Sequence, residues 1–153
     1  METNVMNEVI EKGKKAKASS LLLQRKTTEQ KNNALLAIAN QLHEDRQKII
    51  ASNKKDLESA EANGIEKNVL DRILLTDERI DAIIHAIKEC VNLYDPIGDE
   101  LENFKRDDGL HIIKKRVPIG VIGIIYEARP NVTIDAAMLC LKTNNAVILR
   151  GSS

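Results

Sequence analysis

With 153 residues, 42% of them hydrophobic, the chain is long enough to bury one sizeable core or part of a larger one, which excludes a mini-protein. Its charged residues make up 30% but cancel at 23 against 23, so no global field draws it toward nucleic acid or anionic lipid. One Phe, two Tyr and no Trp argue against the stacking platforms that bind single-stranded nucleic acid.

The opening METNVMNEVIEKGKKAK is polar, and the longest apolar runs fall far below the roughly 20 residues of a membrane span. Cys90 and Cys140 lack CxxC spacing, and His43, His85 and His111 lack metal-ligand spacing. The expectation is a cytosolic protein with no disulfide, no metal site and no nucleic-acid or membrane partner.

Residues 4–24 read as a helix whose continuity Gly13 and the Ser19-Ser20 pair weaken. Leu35, Ile38, Leu42, Ile49 and Leu57 then paint one apolar stripe, predicting a single helix from about Thr28 to Ala62 that stops at Gly64. Thr27 and Gln30 have capping-box spacing at its start. A further helix runs from Thr76, its cap, to about Asn92: Asp77 and Glu78 suit the positive end of the dipole, and Ile80, Ile83, Ile84, Ile87 and Val91 share one face.

From Asn103 the period changes from helical to extended. In FKRDDGLHIIKKRV, Asp108-Gly109 sits between two strand-like runs, a strong hairpin signal, and Pro118 ends the second run. Next come an apolar strand over Val121–Ile125, a loop with Pro130, a helix from about Thr133 to Lys142 and a second apolar strand over Ala146–Leu149. This is one βαβ unit, and strands apolar on both faces belong to buried parallel sheets, so the fold class is α/β with a doubly wound domain beginning here. Three regions are expected: a helical segment over 1–102, a β-hairpin over 103–117 offering candidate oligomerisation strands, and the start of a nucleotide-binding α/β domain over 118–153. Because two parallel strands and one helix do not make a stable sheet, the chain reads as cut inside that domain.

The string RVPIGVIGIIYEARPNVTIDAAMLCLKTNNAVILRGSS, with YEARPN at its centre, resembles the gamma-glutamyl phosphate reductases, also called glutamate-5-semialdehyde dehydrogenases, of the aldehyde dehydrogenase superfamily. IIASNKKDLESAEANGI and LDRILLTDERI also look like that family. The resemblance implies the N-terminal part of an aldehyde-dehydrogenase-like fold, NADPH as cofactor, L-glutamyl 5-phosphate as substrate, reduction to the semialdehyde with release of phosphate, and a homo-oligomer for the complete enzyme.

It also implies site residues. Asn131 matches the asparagine that stabilises the oxyanion of the tetrahedral adduct, although Asn at a helix entrance also serves as a cap. Arg129 suits bidentate capture of phosphate or carboxylate, or else an ion pair with Glu127 or a neighbour. Arg150 stands where the superfamily has a lysine that contacts the adenosine ribose, and Gly151 and Ser152 follow it in the cofactor set; from position alone Arg150 is an exposed strand-end cation. Gly120 and Gly123 form no dinucleotide fingerprint. The implied thiolate nucleophile is neither Cys90 nor Cys140, which read as small core residues, and it is expected beyond Ser153. Lys142 is expected to complement its helix dipole and no more. The rivals are an aldehyde dehydrogenase of different substrate, against which the YEAR segment speaks, and a non-catalytic interaction module.

Overall fold

A computed structural model describes residues 2–151, with side chains from residue 7 onward. Five helices lead in: α1 (Glu2–Leu23), α2 (Thr28–Glu44), α3 (Arg46–Ala62), α4 (Lys67–Ile73) and α5 (Asp77–Asn92). A hairpin comes next, β1 (Glu100–Lys105) and β2 (His111–Lys115), and then β3 (Val121–Ile125), α6 (Pro130–Lys142) and β4 (Ala146–Arg150). Among the described residues no helix is long and apolar enough to cross a membrane.

Helix α5 forms as its pattern predicts. Thr76 Oγ1 accepts from the Arg79 N–H at 3.2 Å, and Ile80, Ile83, Ile84 and Ile87 are buried together with Cys90. They pack on Leu35 and Ala39 of α2, while Ile134, Met138 and Leu141 of α6 close the same core. The helical lead-in and the βαβ unit therefore share one hydrophobic centre.

The predicted single helix over Thr28–Ala62 is instead two helices. The capping box at its start forms, with reciprocal 3.2 Å bonds between Thr27 and Gln30. At Asp45, however, the backbone turns out of helical geometry (φ −86°, ψ 5°). Arg46 anchors this corner to α5 through Asp77 at 3.3 Å and through Asp81. The break directs α2 along α5 and α3 toward α4, and the buried face of α2 runs through Lys31, Leu35 and Ala39, four residues apart, which leaves the predicted Ile38 more than a third exposed. Helix α1, by contrast, runs through Gly13 and the serine pair unbroken, with Ser20 Oγ folded back on the Lys17 carbonyl at 2.8 Å.

The hairpin pairs antiparallel, Phe104 opposite Ile112 and Lys105 opposite His111, with its first strand starting at Glu100, ahead of the predicted Asn103. Gly109 at φ 90° supplies the left-handed residue of the turn, which other residue types adopt at a cost. Strands β3 and β4 pair in parallel, Val121 opposite Ala146 through Ile125 opposite Arg150. Their surroundings differ from the expected burial on both faces: Ile125 is 84% exposed in this chain.

The lock between this unit and the lead-in is polar. Lys31 is only 2% exposed, yet its ammonium reaches the Lys142 carbonyl at 2.8 Å, the Asp95 carboxylate at 2.5 Å and the Asn144 side-chain oxygen. Lys142 is buried as well, and its ammonium donates to Asn32 Oδ1 at 2.8 Å and to the Val91 carbonyl at 2.9 Å. It thus holds α2 and α5 rather than merely balancing a dipole. Asn144, at φ 58°, donates to the Leu23 and Lys26 carbonyls and so ties the end of α1 to the start of β4.

Candidate functional site

Both groups of candidate residues sit at the carboxyl edge of the β3–β4 pair, where ligands bind in open parallel sheets. After Ile125 the chain passes through Tyr126 to Arg129 and enters α6 with Pro130 at its first position, a place where the missing N–H costs nothing. Arg129 is the N-cap residue, and no side chain caps the helix.

Asn131 therefore lies inside the first turn of α6. Loop placement and a capping role are both corrected: its amide donates to Asp135 Oδ2 at 3.1 Å, one helical turn on. An Asn amide has two N–H donors, so one remains for a ligand. Arg129 is exposed and, among the described residues, forms no ion pair, which removes the alternative of a salt bridge with Glu127.

Arg129, Asn131 and Asp135 form one wall of a cleft of about 560 Å³. The opposite wall comes from the α4–α5 region and includes Asp71, Arg72 and Arg79. Arg79 is satisfied internally: it donates to the Leu74 carbonyl and to the Asp71 carboxylate, each at 2.9 Å, and also to the Asp71 carbonyl. With Asp71 paired to Arg79, the charged groups left in the cleft are Arg72 and Arg129 against the Asp135 carboxylate, a net positive lining beside the positive end of α6.

Arg72 was not among the sequence-derived candidates. It sits on a seven-residue helix, too short for a periodic pattern to announce. Asn53 lies in a stretch that resembles the family, but no local signal gives it a role. It is buried on α3, and its side chain donates to the Ile73 carbonyl and accepts from the Leu75 N–H, both at 2.7 Å, so it fixes the turn between α4 and α5 that forms the far wall.

Arg150 and Gly151 lie apart from this cleft, at the end of β4. Arg150 is exposed and donates to the Gly151 carbonyl at 2.6 Å. Gly151 passes beside Tyr126, where a Cβ would stand 3.6 Å from two ring atoms and from the hydroxyl oxygen. A bare backbone and an exposed guanidinium at a parallel strand end fit a phosphate-bearing nucleotide in kind. Ser152 lies outside the described residues.

Neither cysteine lines the cleft. Burial pushes the Cys140 thiol up; burial raises Cys90 too, against a smaller opposing pull from the Lys142 charge. A buried thiol held protonated is a poor nucleophile. Among the described residues no group of three or more His, Cys, Asp or Glu is placed to hold a metal ion.

No protein-family model matches the chain. It is 53% identical over 148 residues to the gamma-glutamyl phosphate reductase of Halalkalibacterium halodurans, a match covering 97% of this chain and 36% of that protein. The crystal structure of gamma-glutamyl phosphate reductase from Thermotoga maritima superposes with a TM-score of 0.92 at 43% identity over 95% of this chain and 35% of that one. For the Saccharomyces cerevisiae protein of the same name the TM-score is 0.86 at 30% identity, over 92% and 36%. The chain thus spans about a third of the length of the proteins it matches, corresponding to their N-terminal part. These names agree with the resemblance carried by the Tyr126–Asn131 segment, and the mixed α/β fold agrees with theirs.

Proposed function

We propose that the chain supplies the N-terminal part of a cytosolic, homo-oligomeric gamma-glutamyl phosphate reductase, which reduces L-glutamyl 5-phosphate to L-glutamate 5-semialdehyde with release of phosphate. The observation that carries this reading is the pairing of Arg129 with Asn131 on one wall of a cleft whose other wall presents Arg72. A substrate with a carboxylate and an acyl phosphate meets two cations there, and guanidinium groups bind both in bidentate fashion.

Asn131 aims the free N–H of its amide at the oxygen that gains negative charge as the acyl carbon becomes tetrahedral. Removing such a donor typically costs about 10²–10³ in kcat. Asp135 holds that amide by accepting its other N–H. The attacking thiolate comes from outside this chain, since Cys90 and Cys140 are core residues.

The cofactor of this reading is NADPH, which when bound supplies the hydride. Arg150 is the residue suited to its 2′-phosphate, and Gly151 with Ser152 to close backbone approach. The β1–β2 hairpin, with Leu101, Phe104 and Ile113 exposed, is the element suited to association between subunits.

NADPH oxidation with enzymatically generated glutamyl phosphate, together with the reverse reaction from semialdehyde, phosphate and NADP, tests the reading. The 153-residue chain is compared with a form extended to the length of its relatives. Turnover in the extended form alone is the expected result. Absence of turnover there overturns the assignment, and turnover by the short chain alone overturns the placement of the nucleophile.

A further inference from the structure

Tyr126 links the strand end that carries Arg150 and Gly151 to the helix turn that carries Asn131, and the proposed catalysis gives it no role. Its N–H extends the β3–β4 ladder by one bond, to the Arg150 carbonyl at 3.1 Å. Its hydroxyl meets Thr133 Oγ1 at 2.6 Å, on the first turn of α6, the turn that carries Asn131. Its ring lies on the side of Gly151 where a side chain would start: a Cβ there would stand 3.6 Å from it.

The segment between these anchors needs holding. Ala128 sits at φ 44°, in the left-handed region that costs an L-residue about 1 kcal/mol, and α6 starts without a side-chain cap. A strained connection of this kind persists only where the surroundings over-determine it. The Tyr126–Thr133 bridge spans it from the last strand residue to the first helical turn.

We infer that Tyr126 is a positioning residue: bonded through its hydroxyl to Thr133 and through its N–H to Arg150, with its ring beside Gly151, it sets the distance between the strand end that meets the cofactor and the helix turn that presents Asn131. The inference rests on the proposed reductase reading for its catalytic consequence, but the mechanical tie stands on the geometry alone. A single hydroxyl bridge between two hydroxyl side chains makes the tie removable from either end.

The test uses Tyr126→Phe, Thr133→Val, Thr133→Ser and the Phe/Val double variant. In the 153-residue chain, amide hydrogen exchange across residues 127–135 is expected to quicken about tenfold in Tyr126→Phe and in Thr133→Val, to stay at the wild-type rate in Thr133→Ser, and to be no faster in the double variant than in either single one. NADPH titration by fluorescence is expected to give a Kd within about twofold of wild type for Tyr126→Phe, because the ring beside Gly151 is retained. In the extended form, kcat falls about tenfold at unchanged KM for NADPH, which is the rate equivalent of one hydrogen bond. Unchanged exchange in Tyr126→Phe, additive effects in the double variant, or failure of Thr133→Ser to restore the wild-type rate would each overturn the tie. An extended wild type without reductase activity overturns the reductase reading alone, and the exchange comparison still decides the tie.

Discussion

Lys31 of α2 donates a 2.8 Å hydrogen bond to the backbone carbonyl of Lys142, the last residue of α6, so two lysines that a sequence would place in solvent meet in the interior. The contact is tolerable because Asp95 neutralises the Lys31 ammonium and Thr28 holds Asp95 at 2.6 Å. A buried charge without such a partner is strongly destabilising.

Asp95 therefore makes stability acid-sensitive. Burial pushes its carboxyl up, but hydrogen bonds from Lys31, Thr28 and the Ile97 N–H, with the Lys31 charge, outweigh this and hold it below the usual carboxylate range. A carboxyl whose folded value lies below its unfolded value contributes fully above the unfolded value, about 4, and loses that contribution as pH falls through the folded one. Asp95→Asn is expected to cost about 3 kcal/mol at pH 7, leaving Lys31 without its counter-charge. The gap between wild type and variant in denaturant titrations should narrow below about pH 4; a gap independent of pH contradicts the assignment.

Asn53→Ala removes both bonds to the α4–α5 turn and leaves the Ile73 carbonyl and the Leu75 N–H unpaired in a partly buried place. The expected loss is about 2–3 kcal/mol, read as a lowered urea midpoint at unchanged slope. Asn53→Asp keeps an acceptor for Leu75 but sets a buried carboxylate oxygen against the Ile73 carbonyl, and at pH 7 should cost at least as much as Asn53→Ala.

Cys90 and Cys140 should both resist a thiol reagent such as Ellman's reagent at pH 7.5 in the native chain and react on addition of denaturant, slower when native by about 100-fold or more. Prompt reaction of either thiol in the folded chain would show one of them accessible and ionisable.

In the extended form, Asn131→Ala should lower kcat by about 10²–10³, and Arg129→Ala should raise KM for glutamyl phosphate about tenfold. Neither change should move the melting temperature by more than about 2 °C, since Arg129 is exposed and Asn131 forms only an exposed bond within its helix. Parallel loss of activity and of melting temperature would assign both residues to structure instead.

The elements that the chain announces are those whose signals are local. The isoleucine spacing of α5 with its Thr76 cap, the Asp108-Gly109 turn and the apolar runs of β3 and β4 each lie within a few residues, and each forms where it is read. The corner at Asp45 is invisible because the apolar stripe runs straight through it; Arg46 reaching across to Asp77 and Asp81 is a tertiary event. Buried Lys31 and Lys142 defeat a reading in which charge means surface, since their partners, the Asp95 carboxylate among carbonyls and side-chain amides, are distant in sequence. Of the candidate site, Asn131 and Arg129 do share a wall, but Arg72 and Asn53 owe their places to long-range packing and carry no pattern of their own.

The Lys31–Asn144 link spans 113 positions, and this bears on the order in which the chain matures. Contacts so distant form late, because the loop they close must first surrender its freedom. During synthesis α2 emerges with a lysine whose resting place does not yet exist, and α1 ends in carbonyls that await an asparagine from the far side of α6. The apolar contacts of α2 with α5 lie within the lead-in, but the polar lock on them is complete only once the stretch through Asn144 has left the ribosome.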